Sequence, residues 1–137
     1  MIADEQKASF NYTVTTDDLA QTVGIEVGDR FPDVLSTSRA IALMEVASAR
    51  LMASVIRDSE FSVGVGVDVV HQAATPVGES IEVTAMYKGK VGKLYNFEVE
   101  VADAGGVVAK GVHSRAVVDG QRLLTGADKR IAEAKAR

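Results

Sequence analysis

Glu45 lies inside an apolar helical segment, where an isolated carboxylate is costly. Residues 36–57 read STSRAIALMEVASARLMASVIR. At about 100° per residue, Arg39, Arg50 and Arg57 fall close to one line and mark a solvated stripe. Glu45 projects roughly 120° away from that line. Its helical neighbours are Ile41, Ala42, Ala49 and Met52, with Ser48 the only small polar group beside it. Withdrawing a carboxylate from water disfavours its charge unless donors hold it. A tuned acid facing a cleft is what general-base or nucleophilic chemistry uses. The alternative is a structural acid bonded to Ser48, to a loop or to a neighbouring chain.

The chain has two histidines, both in segments that read as strands. His71 follows Gly64 and Gly66 in FSVGVGVDVVH, and glycines there let a substrate approach the backbone. Glu45 is its candidate partner, on the helix that such a strand must cover. An imidazole and a carboxylate within reach of one carbonyl carbon make an acyl-transfer site. His113 precedes Arg115 by two residues, so those two side chains share a face. A lone strand histidine is otherwise a structural group. Thr37, at the helix start, either caps the helix or offers its hydroxyl to a ligand. Thr37 and Glu45 are about 12 Å apart along a helix axis, too far for one chain to bring both to one carbon. Glu45 of one subunit facing Thr37 and His71 of another would achieve it.

Other chemistries lack their parts. Two histidines with no cysteine and no HxxxH spacing make a poor metal site, and none is expected. Gly24-x-x-x-Gly28 and Gly64-x-Gly66 lack the Lys-Ser/Thr and the strand-to-helix setting of a phosphate loop. No GxSxG occurs.

The elements that must position these residues follow from composition and pattern. The 137 residues suit one domain, 1–137, around one core. Apolar residues make up 47% and charged residues 25%, the balance of a globular chain. Aromatics are few and Val and Ala dominate, which favours a sheet of β-branched residues. A net charge of −4 with no basic run argues against nucleic acid. The absence of cysteine excludes disulfides and a thiol nucleophile, and it fits a reducing compartment. Apolar stretches stop well short of a membrane span, and the start MIADEQKAS lacks a signal-peptide core. The expectation is a soluble cytoplasmic protein.

Residues 1–8 read as a loose polar end and 10–15 as a strand. Asp17 and Asp18 offer a cap for a short turn through residues 19–23, with Gly24 as its stop. Gly28 and Pro32 bracket a loop carrying Phe31, Val34 and Leu35, which reads as a lid or a core plug. The helix begins at Ser36 or Thr37 and ends near Arg57. Four strands follow, over 61–73, 79–87, 94–102 and 107–119, with Val63, Val65, Val67 and Val69 opposite Gly64, Gly66 and Asp68. Gly120 breaks the last strand, and 127–137 reads as a short surface helix. A helix apolar over most of its circumference needs covering on most sides, which a curved antiparallel sheet does. The fold class is α+β. An open sheet edge invites pairing of two subunits, so the chain is expected to dimerise.

LMEVASARLM with Thr37 upstream, then the Gly64 strand ending in HQAATP, then GVHSRAVV, together resemble the fluoroacetyl-CoA thioesterase family. The resemblance covers roughly residues 27–119. It implies a hot-dog fold, in which an antiparallel sheet wraps one long helix. It implies a homodimer, with a dimer of dimers left open, and sites at the subunit interface. The activity implied is hydrolysis of an acyl-CoA thioester, with CoA part of the substrate and no cofactor. The family's catalytic Thr, Glu and His match Thr37, Glu45 and His71. Its carbonyl-contacting glycine matches Gly64, and an active-site arginine matches Arg115. Of its two lid phenylalanines one matches Phe31, while Gly28 stands at the other place. Selectivity for fluoroacetate is therefore not implied, and another short or medium acyl group fits as well. Lys88, Lys90 and Lys93 are candidates for the anionic CoA, although a solvated hairpin accounts for them more simply. A hydratase or dehydratase on an acyl thioester, a non-catalytic acyl-CoA binding protein, and a structural protein whose Glu45 locks a dimer are the competing readings.

Overall fold

The computed structural model describes all residues from Met1 to Arg137. It contains strands β1 (Lys7–Thr13), β2 (Glu60–His71), β3 (Ser80–Val91), β4 (Leu94–Asp103) and β5 (Gly106–Asp119). Two helices accompany them, α1 (Thr37–Met52) and α2 (Gly120–Lys135). The strands form one antiparallel sheet in the order β1-β3-β4-β5-β2. β1 and β2 are therefore its edges, each paired on one side only.

Ser36 caps α1 by accepting from the Arg39 N–H at 2.9 Å. Residues 37–52 then run without Gly or Pro. Ala40, Leu43, Met44, Ala47, Ser48, Leu51 and Met52 are buried, and the helix touches all five strands. Burial on β3 and β4 has a period of two: Ile81, Val83, Ala85 and Tyr87 face the helix, as do Phe97, Val99 and Val101. Each large apolar side chain buried here contributes about 1.5–3 kcal/mol. The arginine stripe of α1 is exposed, as its spacing implies, and lies along β1. Arg39 pairs with Asp18 at 2.7 Å, and the Arg50 guanidinium stands 4.7 Å above the Phe10 ring.

β2 departs from strict alternation. Its register on β5 shifts between Gly64, opposite Arg115, and Gly66, opposite Ser114. Val65 is the extra residue of a β-bulge. Directly opposed residues share a face, so Gly64 lies on the face of Arg115, Val67 on that of His113 and His71 on that of Ala109. Gly64 and His71, an odd number of positions apart, would point oppositely in a regular strand. The bulge brings them to the helix side together.

Several expected boundaries move. The N-terminal end is not loose: Ile2 is buried, the Glu5 N–H donates to the Tyr87 carbonyl and the Tyr87 N–H to that of Gln6. One apolar residue and a ladder extension tie it down. α1 stops at Met52, with Ala53 as its cap, instead of reaching Arg57. α2 starts at Gly120 rather than 127, because Asp119 accepts from the Arg122 N–H at 3.0 Å. No helix is long and apolar enough to cross a membrane.

The turn after β1 is anchored by buried Asp18. Its Oδ1 accepts from Tyr12 Oη (2.8 Å) and Arg39 Nε (2.7 Å), and its Oδ2 from the Thr15 N–H (2.7 Å) and Oγ1 (2.9 Å). The Ser36 N–H donates to the Asp18 carbonyl at 2.9 Å, so this turn sets where α1 begins. Burial alone would raise the Asp18 carboxyl, but the Thr15, Tyr12 and Arg39 donors outweigh it and hold it below the ordinary aspartate range. A depressed folded value means stability present above the unfolded value, about 3.9, and lost as pH falls below it. Asp18→Ala is expected to cost about 3 kcal/mol in urea unfolding at neutral pH. The variant should also lose less stability than the native chain on acidification below about pH 4.

Candidate active site

Because Ser36 takes the capping role, the Thr37 hydroxyl is free, and it lies 2.8 Å from His71 Nδ1. His71 Nε2 is buried and has no hydrogen-bond partner. Thr37 and His71 line a cleft of about 390 Å³ together with Phe31, Pro32, Val34 and Ala74. Phe31 is 46% exposed at its rim. The apolar loop before α1 thus divides its work: Leu35 plugs the core and Phe31 overhangs the cleft.

Glu45 belongs to a second cluster. Its Oε1 is 3.7 Å from Arg115 Nη1. The carboxylate rests so close to the Gly64 backbone that any Cβ at that position would overlap Oε1. Within the single chain the Glu45 side chain remains 45% exposed, against 7% for Arg115. The sequence reading placed Glu45 in an apolar surround, and that expectation is not met here. Gly64 offers no side chain to cover it, and the next strand beyond β2 is missing because β2 is an edge. Ser48 is not its partner either: its hydroxyl donates to the Met44 carbonyl at 3.0 Å, the usual outlet for a buried helical serine.

Beneath Glu45, Arg115 is locked in place. Its Nε donates to Ser62 Oγ (3.0 Å) and its Nη2 to the Ser62 carbonyl (2.9 Å), while Nη1 lies 3.0 Å from His113 Nε2. His113 Nδ1 is 2.8 Å from the Gly66 carbonyl. Desolvation pushes the His113 imidazole below its ordinary value, and the Arg115 charge pushes the same way against the Gly66 bond and Glu45. Desolvation likewise lowers Arg115, opposed by Glu45.

Sequence reasoning grouped Thr37, Glu45 and His71. In one chain Thr37 and His71 meet, with Phe31 nearby, while Glu45 meets Gly64 and Arg115. α1 and β2 run antiparallel, so the two clusters sit about 12 Å apart along the helix. The partnership of His113 and Ser62 with Arg115 was not foreseen. The His-x-Arg spacing signalled a shared face, but Ser62 comes from the neighbouring strand β2, far away in sequence. All three hairpin lysines are exposed; Lys88 is 3.5 Å from Glu5, and Lys90 lies 5.0 Å above the Tyr95 ring.

The family model described as fluoroacetyl-CoA-specific thioesterase (FlK) matches residues 14–121. The chain belongs to this family. The fluoroacetyl-CoA thioesterase of Streptantibioticus cattleyicolor is 36% identical over 88 residues, 64% of this chain and 63% of that protein. The match therefore spans less than two thirds of that relative. A variant of the fluoroacetyl-CoA-specific thioesterase FlK, solved with fluoroacetate and CoA, superposes with a TM-score of 0.84 at 27% identity, over 89% of this chain and 99% of that one. A hot-dog-like protein from Thermanaerovibrio acidaminovorans shares the fold, with a TM-score of 0.82 at 19% identity over 94% and 93% of the two chains. The FlK-family chain described here thus has a hot-dog fold.

The depressed His113 imidazole has a measurable consequence. Its folded value lies below the unfolded one, about 6.5, so its stabilisation is present above that pH and is lost as pH falls through the folded value. The melting temperature is expected to drop from about pH 7 toward pH 5, and His113→Gln should flatten that slope. Differential scanning calorimetry across this range checks it.

Proposed function

We propose that the chain hydrolyses an acyl-CoA thioester with a short or medium acyl group, at sites shared between two subunits of a homodimer. CoA enters as part of the substrate, and no cofactor takes part. One observation carries this reading: Thr37 and His71 form one cluster, Glu45, Gly64 and Arg115 another, and each lacks what the other holds. A two-fold axis beside the open edge of β2 would set Glu45 of one subunit opposite Thr37 and His71 of the other. Phe61, Val65, Val67 and Val70 on β2 are exposed, an apolar edge that pairing would cover.

In this scheme Glu45 attacks the thioester carbonyl as nucleophile, expelling the CoA thiolate and leaving an anhydride that water then opens, or it takes a proton from a water that attacks directly. The Arg115 guanidinium stands beside Glu45, 3.7 Å from Oε1. Gly64 meets the carbonyl through its backbone, which the missing Cβ permits. The Thr37 hydroxyl orients His71 through Nδ1, leaving Nε2 to pass a proton toward the departing CoA thiolate. Closing the second subunit over Glu45 removes the water that still reaches it and strengthens every charge interaction in the site. Phe31 covers the acyl group alone. Gly28 adds nothing to the gate, and a Cβ there would meet no atom within 4 Å. The acyl pocket is accordingly open to groups other than fluoroacetyl.

A panel of acyl-CoA esters with free-thiol detection is expected to give turnover on short and medium chains. Glu45→Gln and His71→Ala should each lower kcat/KM by about 10²-fold or more. When the two inactive variants are unfolded and refolded together, half the dimers carry one intact site, so about a quarter of native activity should return. Absence of thiol release on every chain length would end the hydrolase reading. No recovery on mixing would end the shared site.

The same assay reads the role of Gly64. Gly64→Ala would drive its methyl into Glu45 and is expected to lower kcat by about 10-fold or more, with little change in melting temperature because the strand is an exposed edge.

A further inference from the structure

Arg115 is a buried cation whose nearest neighbours are neutral. Three of its N–H groups bond Ser62 Oγ, the Ser62 carbonyl and His113 Nε2. Glu45 is the one carboxylate within ion-pair distance of it. A burial designed only for stability would set a cation against a buried acid, since an uncompensated interior charge is expensive. Here the guanidinium is instead aimed at a half-exposed carboxylate on the surface that the second subunit and substrate would cover.

His113 decides that aim. A guanidinium has donors only, so His113 Nε2 must accept from Arg115 Nη1. The ring then carries its single proton on Nδ1, which donates to the Gly66 carbonyl at 2.8 Å. Gly66 borders the bulge, where ladder pairing is disrupted and a carbonyl needs another donor. Across the sheet, His113 is opposite Val67 and Arg115 opposite Gly64, so the imidazole bridges the extra residue Val65. Its Cε1 would stand 3.2 Å from a Cβ at Gly64, on the glycine that supports Glu45.

We propose that His113 is a positioning residue, which as the Nδ1–H imidazole fixes the Arg115 guanidinium toward Glu45 and ties both to the β2 bulge. The proposal rests on the acyl-thioester reading of Glu45. His113 touches neither substrate nor reacting atoms; it acts through Arg115. Ser62 shares the task from the opposite side of the guanidinium.

The test pairs kinetics with a measurement that needs no turnover. His113→Asn keeps a donor for the Gly66 carbonyl but does not reach Arg115 Nη1. It is expected to lower kcat by about 10-fold while KM stays within about threefold and the dimer persists. His113→Gln sets an acceptor near the Nε2 position and should recover most of that loss. Ser62→Ala, on a half-exposed strand position, should lower kcat by about threefold with native stability. In ¹⁵N NMR of the unliganded chain, His113 is expected to carry its proton on Nδ1, with Nε2 bare, from about pH 6.5 upward. A proton on Nε2 would overturn the proposal. So would native kcat in both His113→Asn and Ser62→Ala, or losses that merely follow the folded fraction in all three variants. If the native chain releases no thiol, the hydrolase reading fails, while the NMR result still decides the tautomer and the aim of Arg115.

Discussion

Between Gly64 and Gly66 the β2–β5 ladder slips by one residue, and the arrangement around Glu45 depends on that slip. Without the extra Val65, Gly64 and His71 would face opposite sides of the sheet. With it, the glycine that admits the Glu45 carboxylate and the histidine that meets Thr37 both face α1. The bulge also disrupts the pairing around Gly66, whose carbonyl takes its bond from His113. One inserted residue therefore links three things that a regular strand would keep apart: the close approach at Gly64, the tautomer of His113 and the direction of Arg115.

The hydrophobic effect and the polar network occupy different ends of this structure. β3 and β4, at the centre of the sheet, supply alternating apolar residues to α1, and there the packing is dry. Toward the β2 edge the helix-facing positions turn to Gly64, His113 and Arg115. Apolar burial weakens there, and hydrogen bonds to charged and neutral polar groups take over. A site at that edge gains access to solvent and to a second chain without opening the core. At the start of α1, Asp18 does a comparable structural task, joining the turn after β1 to Ser36 and so setting the helix register that carries Thr37 and Glu45.

An edge strand with four exposed apolar residues is an incomplete object in water. So is a carboxylate half covered by its own chain, and so is a buried imidazole nitrogen without a partner. The first two are open to solvent beside β2, and one surface laid against it would answer both. That coincidence is the physical case for a shared site, independent of any family likeness.

The sequence by itself determined the sheet-and-helix architecture. Alternation on the strands and a nearly all-round apolar helix are local patterns, and burying both leaves few solutions. It also singled out Glu45 and His71 as candidates for chemistry, because they stand out by type and context. The tertiary structure decided the rest. A bulge is invisible to a pattern that alternates Val with Gly on both sides of it, so the common face of Gly64 and His71 could not be read from spacing. The link from Ser62 through Arg115 to His113 joins strands far apart in the chain, and only their pairing creates it. The exposure of Glu45 likewise depends on where the sheet ends, which is a property of strand order and not of any segment read alone.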